Sequence, residues 1–179
     1  MNTEINVLPI ISIDLKPELH DFLIHEFGED ECGHIKLSKR SDIGKFIDSM
    51  WVVSDLPVKR KFDRYNNPVK IVLPICQETA YIVRSNFLYV PIYREQQIND
   101  FLEASLNLVI REYFVTGYEK GFKKNMIIEG ILKAFNIKKN AISFDRIKKK
   151  DYRNRENMIN SVVREIQSSV IEWVKKFLR

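Results

Sequence analysis

Glycine and cysteine are scarce in this chain of 179 residues, which has six of the first and two of the second. With so few glycines, neither a Gly-x-Gly-x-x-Gly loop nor a Walker loop occurs, and this argues against nucleotide hydrolysis. The two cysteines, Cys32 and Cys76, are too few for a disulfide framework and are typical of a reducing compartment. We therefore expect a cytoplasmic protein.

Long apolar runs are also missing, and no stretch is long and apolar enough to span a bilayer. The first 15 residues contain Glu4 and Asp14, lack a basic start, and interrupt their apolar run at Pro9, so they do not fit a signal peptide. Apolar residues make up 45% of the chain and charged residues 30%, which is typical of a folded globular protein. We expect no membrane partner.

Motifs for catalysis and metal binding are absent as well. Cys32 and His34 lie close in the sequence, but structural zinc sites have four ligands at recurring spacings, and no such set occurs. Cys76 lies in an apolar strand pattern and is better explained as a small buried hydrophobe than as a nucleophile. We predict no catalytic residue, no metal and no cofactor, and hence a protein that is not an enzyme.

Charge is distributed unevenly along the chain. Residues 1–119 contain 13 Lys and Arg against 18 Asp and Glu, whereas residues 120–155 contain 12 against 3, a net charge of +9. An acidic body followed by one dense basic segment is the pattern of a polyanion site. The alternative is that the lysine-rich helices merely present a solvated surface.

The first two thirds of the chain mix strand and helix patterns. Strands are predicted within residues 5–15, 34–38, 69–75 and 81–93, and helices from Pro17 to Gly28, after Ser41 and from about Gln97. The two later strands are expected to pair as a hairpin, and residues 54–68 to form an exposed loop. We predict an α+β fold, in which residues 1–118 form a mixed α/β body with a small sheet.

A helix-turn-helix outline follows Gly117 and Gly121, two glycines that bracket the change of charge. A helix is predicted over residues 122–135, a turn over 136–142, and a second helix capped by Ser143. We predict that residues 119–179 form a mostly helical basic segment that binds DNA.

The second predicted helix, which follows Ser143, contains a dense group of Lys and Arg residues. At about 100° per residue, Phe144 and Ile147 face the core, and a basic face lies opposite. Such a face suits the major groove, where cations neutralise phosphates and Arg can contact guanine edges. The predicted groove-facing residues are Arg146, Lys149, Lys150 and Arg153, with Lys138, Lys139 and Lys148 nearer phosphates, Tyr152 as a phosphate donor and Asn154 as a contact to adenine.

Two groups of segments resemble small proteins of Bacteroidetes prophages and conjugative elements. One is IKLSKRSDIGK at residues 35–45, and the other comprises FNI at 135–137, ISFDRIKK at 142–149 and YRNR at 152–155. The resemblance implies a mobile-element context, in which DNA binding for transcriptional regulation or element replication is expected. It assigns no role to any single residue.

Two other functions stay open. An RNA-binding protein would use Tyr81, Tyr89 and Tyr93 as stacking platforms on an exposed sheet face. A protein-interaction or virion-assembly subunit would instead use its basic face to dock an acidic partner.

A heptad seam occupies residues 159–177, with apolar side chains spaced alternately four and three residues apart. At under three heptads the seam can pack back on its own domain or join two subunits in a homodimer. If it packs back, light scattering should give the mass of one chain, 21.2 kDa, at every protein concentration. A rise towards twice that mass with concentration would indicate the homodimer.

Overall fold

The computed structural model describes residues 9–74, 82, 85–137 and 144–153. The chain forms two compact units, unit 1 (residues 1–106) and unit 2 (residues 107–179). The division falls inside a long helix, whereas the sequence suggested residues 118 and 119, near the C-terminal end of the same helix. The predicted α+β fold class is confirmed.

Within the described residues the strands lie in unit 1, and both units contain helices. The strands are β1 (Ile10–Asp14), β2 (His34–Lys36), β3 (Val52–Ser54), β4 (Pro68–Val72) and β5 (Phe87–Tyr89). The helices are α1 (Pro17–Phe27), α2 (Asp42–Asp48), α3 (Ile92–Glu119), α4 (Lys124–Ala134) and α5 (residues 144–153). Among the residues that the structure describes, no helix combines the length and the apolar character that crossing a membrane requires.

The main sheet has three strands in the order β1-β4-β2, and its central strand is β4. β4 pairs antiparallel with β1 and parallel with β2, so Ile71 stands beside both Ile11 and Ile35. All three of these isoleucines are fully buried, as the apolar pattern of the strands predicts.

The predicted hairpin between the two later strands is wrong. Because β4 has a strand on each side, it offers no free edge, and β5 pairs instead with β3 in a separate two-stranded sheet. The second predicted strand is also too long, since α3 begins at Ile92 rather than near Gln97. Pro91 favours this start: its carbonyl accepts a hydrogen bond from the Glu95 amide at 2.9 Å and opens the first helical turn.

Local signals define the first two helices correctly. Pro17 occupies the first turn of α1, and Gly28 ends that helix with a positive φ of 75°. Ser41 caps α2, as predicted, because its hydroxyl oxygen accepts a hydrogen bond from the Gly44 amide at 3.0 Å. Behind α2, the rings of Phe46 and Phe101 stack at 4.1 Å between centroids and join α2 to the part of α3 in unit 1.

Unit 2 packs the C-terminal part of α3, α4 and α5 around aliphatic and aromatic side chains. Its buried core consists of Ile110, Phe114, Ile127, Ile128, Ile131, Leu132, Phe135 and Ile147. At Gly117 a Cβ atom would lie only 2.6 Å from Ile127, so glycine allows α3 and α4 to approach closely. The predicted helix order is confirmed for α4 and α5; residues 138–143 and the seam at 159–177 lie outside the described residues.

Two glycines offer a matched test of this packing. A Cβ at Gly44 would lie 2.0 Å from the Ser38 carbonyl oxygen, whereas a Cβ at Gly130 meets nothing within 4 Å. We expect Gly44→Ala to lower the free energy of unfolding by about 3 kcal/mol, because backbone must move. Gly130→Ala should raise it by about 0.5–1 kcal/mol, since alanine is the better helix former. Denaturant unfolding measures both, and a harmless Gly44→Ala would contradict the α2 geometry.

Candidate functional site

The basic face predicted for the second C-terminal helix lies on α5, which turns one side inward. Ile147 is 4% exposed and Asp151 is 2% exposed, so these residues, four apart, mark the packed side. On the opposite side Arg146, Lys149 and Arg153 are exposed and fall within about 60° of one another around the helix axis. We call these three residues the cationic arc.

The packed side of α5 is held by a buried carboxylate. Oδ2 of Asp151 accepts a hydrogen bond from the Tyr118 hydroxyl at 3.2 Å and lies 2.7 Å from Nζ of Lys124. A buried carboxylate without such partners would be costly, so this contact favours one rotation of α5 against α3 and α4. Sequence reasoning missed Asp151; the available signal was an acid four residues after an apolar core position.

The other residues predicted to contact DNA differ in how exposed they are, and some lie outside the described residues. Lys148 is exposed, Tyr152 is 66% exposed, and Lys150 is half-buried at the margin of the packed side. Lys138, Lys139 and Asn154 lie outside the described residues. A surface depression of about 360 Å³ brings together Lys124, Asp145, Lys148, Lys149, Tyr152 and Arg153. The depression thus combines four cations, of which Lys124 is paired with Asp151, with one acid and an exposed tyrosine.

The tyrosines proposed as RNA-stacking platforms do not share one sheet face. Tyr89 is half-buried in β5, whereas Tyr93 is exposed in the first turn of α3. Tyr81 lies outside the described residues. The strand pattern over residues 81–93 suggested a common face, and the helix start at Ile92 is the reason that Tyr93 leaves it.

Unit 1 contains a second polar cluster, which sequence reasoning did not identify. Asp14, the last residue of β1, is 1% exposed. Its two carboxylate oxygens accept the backbone N–H groups of Tyr65 and Asn67 at 2.8 and 2.9 Å. The carboxylate therefore fastens the loop before β4 to the end of β1.

The same backbone position binds the beginning of α3. The Asp14 amide donates to Oε2 of Glu95 at 3.1 Å, and the Asp14 carbonyl accepts from Nδ2 of Asn99 at 3.0 Å. Oε2 of Glu95 also lies 2.8 Å from Nη2 of Arg60, whose side chain is 10% exposed. Loop, strand and helix are therefore joined by buried polar groups that mostly satisfy one another.

Lys16 continues this cluster towards solvent. Its amide donates to Oδ1 of Asn99 at 3.1 Å, and its ammonium group pairs with Glu103. The hydrogen bond to Glu103 raises the pKa of Lys16, against the opposing effect of partial burial. Lys16 is therefore protonated at neutral pH.

A cavity of about 670 Å³ opens above the cluster, and the described residues that line it belong to unit 1. Arg60, Glu95 and Asn99 lie at its buried side, and Tyr65 and Tyr89 contribute aromatic surface. The remaining lining residues are Asp14, Val58, Lys59, Lys61, Asp63, Arg64, Pro91, Ile92 and Gln96. A volume of this size falls in the range of small-molecule sites.

Metal-binding geometry is not found in the described ranges. No group of three or more His, Cys, Asp or Glu side chains there is arranged to hold a metal ion. Cys32 is exposed, and Cys76 lies outside those ranges.

Comparison of the chain with protein-family models, with curated proteins and with solved structures gave no match. Any proposal about function therefore depends on the geometry of these two sites.

We expect Asp14→Ala to lower the free energy of unfolding by about 3 kcal/mol, because two backbone donors lose a charged acceptor. Hydrogen exchange should accelerate at the amides of Tyr65 and Asn67 more than at Ile71 in the sheet. Asp63→Ala is the control, since Asp63 is an exposed acid of the same loop. Equal destabilisation by both variants would contradict the role given to Asp14.

Proposed function

We propose that the protein binds double-stranded DNA through α5, without enzymatic activity. The observation that carries the proposal is the cationic arc, which faces outward while Asp151 on the same helix is buried against Tyr118 and Lys124. A helix held in one rotation presents its cations as a set, and ordered cations suit a regular array of phosphates.

Phosphate neutralisation would supply most of the affinity. Each Lys or Arg that contacts a phosphate releases condensed counterions from DNA, which makes binding strongly salt-dependent. Lys149 and Arg153, one helical turn apart, would contact the duplex, and Arg146 extends the same arc. Lys148 and Tyr152 lie beside the arc and would donate to flanking phosphates.

Residues assigned from the sequence complete the proposed interface. Lys138 and Lys139 precede α5 and would add phosphate contacts, and Asn154 would contact an adenine. Lys150 is half-buried, so its contribution is expected to be smaller than that of Lys149. Transcriptional regulation or replication of a mobile element is the role that we propose for such binding in the cytoplasm.

The test is binding of the intact protein to a mixed-sequence duplex, followed by fluorescence anisotropy between about 50 and 200 mM salt. We expect Lys149→Glu with Arg153→Glu to reduce affinity at least about tenfold at low salt. The slope of log affinity against log salt should become shallower by about two, because two phosphate contacts are lost.

The matched control is Arg40→Glu with Lys70→Glu, which makes the same change of charge at exposed positions of unit 1. It should retain nearly all the affinity. The absence of duplex binding at low salt, or equal losses in the two pairs, would overturn the proposal. Circular dichroism should show that both variants remain folded.

Competition with single-stranded RNA distinguishes duplex DNA binding from RNA binding and from protein docking. If RNA displaces the duplex at much lower concentration, the basic face serves RNA, and the duplex proposal fails. If the purified protein binds neither nucleic acid, the DNA proposal fails, and the basic face either docks an acidic protein partner or is only a solvated surface.

A further inference from the structure

We propose that the cavity of unit 1 is a binding site for a small aromatic oxyanion, that is, a molecule that combines an aromatic ring with a phosphate or a carboxylate. Its described lining residues all belong to unit 1, whereas α5 belongs to unit 2. The proposal therefore stands or fails independently of DNA binding.

The guanidinium group of Arg60 lies at the buried side of the cavity, where it is paired with Glu95. Nη2 of Arg60 is buried and, among the described residues, no acceptor meets it with hydrogen-bond geometry. Its 2.8 Å approach to Oε2 of Glu95 supplies charge compensation, but that oxygen already accepts the Asp14 amide. Nη2 itself is closed to solvent, so direct contacts with an oxyanion are left to the exposed cations of the rim.

The rim favours a negative ligand. Lys59, Lys61 and Arg64 are exposed at the cavity, and within the described part of the chain none of them has a carboxylate ion-pair partner. The acids at its buried side, Asp14 and Glu95, are already engaged with backbone amides and with Arg60. Asp63 is the one exposed acid among the described lining residues, so the accessible charge is positive.

The walls favour a ring. Tyr65 and Tyr89 are half-buried there, and Val58, Pro91 and Ile92 add apolar surface. Ile92 lines the cavity and is 74% exposed at the start of α3, so its side chain offers apolar surface that a ligand can contact. A planar ligand can contact these walls while its oxyanion reaches the rim cations.

Calorimetric titration of the intact protein uses four probes: adenosine 5′-monophosphate, benzoate, adenosine and inorganic phosphate. We expect saturable binding of one molecule per chain for at least one of the two aromatic anions. Adenosine, which lacks the charge, and inorganic phosphate, which lacks the ring, should bind at least about tenfold more weakly.

The variants avoid Arg60, because its removal would leave Glu95 buried without its cation and strongly destabilise the unit. Lys61→Gln with Arg64→Gln should weaken binding of the aromatic anion about tenfold, and Ile92→Glu should do the same by placing a carboxylate at the cavity. The controls are Lys70→Gln and Leu56→Glu, which alter exposed residues outside the cavity lining. Both should leave the affinity unchanged.

The outcomes are separable from those of the DNA test. Lys149→Glu with Arg153→Glu should keep the affinity for the aromatic anion, whatever it does to DNA binding. The proposal is overturned if neither aromatic anion binds, if adenosine binds as tightly as its monophosphate, or if only the α5 variant weakens binding.

Discussion

The carboxylate of Asp14 is the contact on which unit 1 depends. It lies at the end of β1 in the main sheet and accepts two backbone N–H groups of the loop before β4. The backbone amide and carbonyl of Asp14 bind Glu95 and Asn99 of α3. An ionised group can be buried this deeply only where hydrogen bonds replace its water. The contact therefore requires strand, loop and helix to adopt one arrangement, and the cavity walls are a consequence of it.

Unit 2 applies the same constraint with a different acid. Asp151 is buried beside Ile147 and is compensated by Lys124 and Tyr118 from two other helices. Each buried acid thus ties together elements that are distant in sequence, and its partners restrict how those elements can rotate. In unit 1 the result is a cavity with a cationic rim, and in unit 2 it is a helix with an outward cationic arc.

Local chemistry explains which elements the sequence predicted well. Pro17, Gly28 and Ser41 act within one helical turn of their own positions, so the ends of α1 and the start of α2 follow from neighbouring residues. The hairpin prediction failed because strand pairing is a non-local choice: two apolar runs close in sequence can each find a better partner elsewhere. β4 takes the centre of the three-stranded sheet, and β5 is left to β3.

The sequence by itself determined the α+β class, the position of the basic segment and the helical spacing that places Arg146, Lys149 and Arg153 on one face, because these follow from composition and from a period of 3.6 residues. Only the tertiary structure decided the strand order, the burial of Asp14 and Asp151, and the cavity around Arg60. Burial depends on what packs against a residue, and an acid that is solvated in one arrangement becomes the centre of a hydrogen-bond network in another.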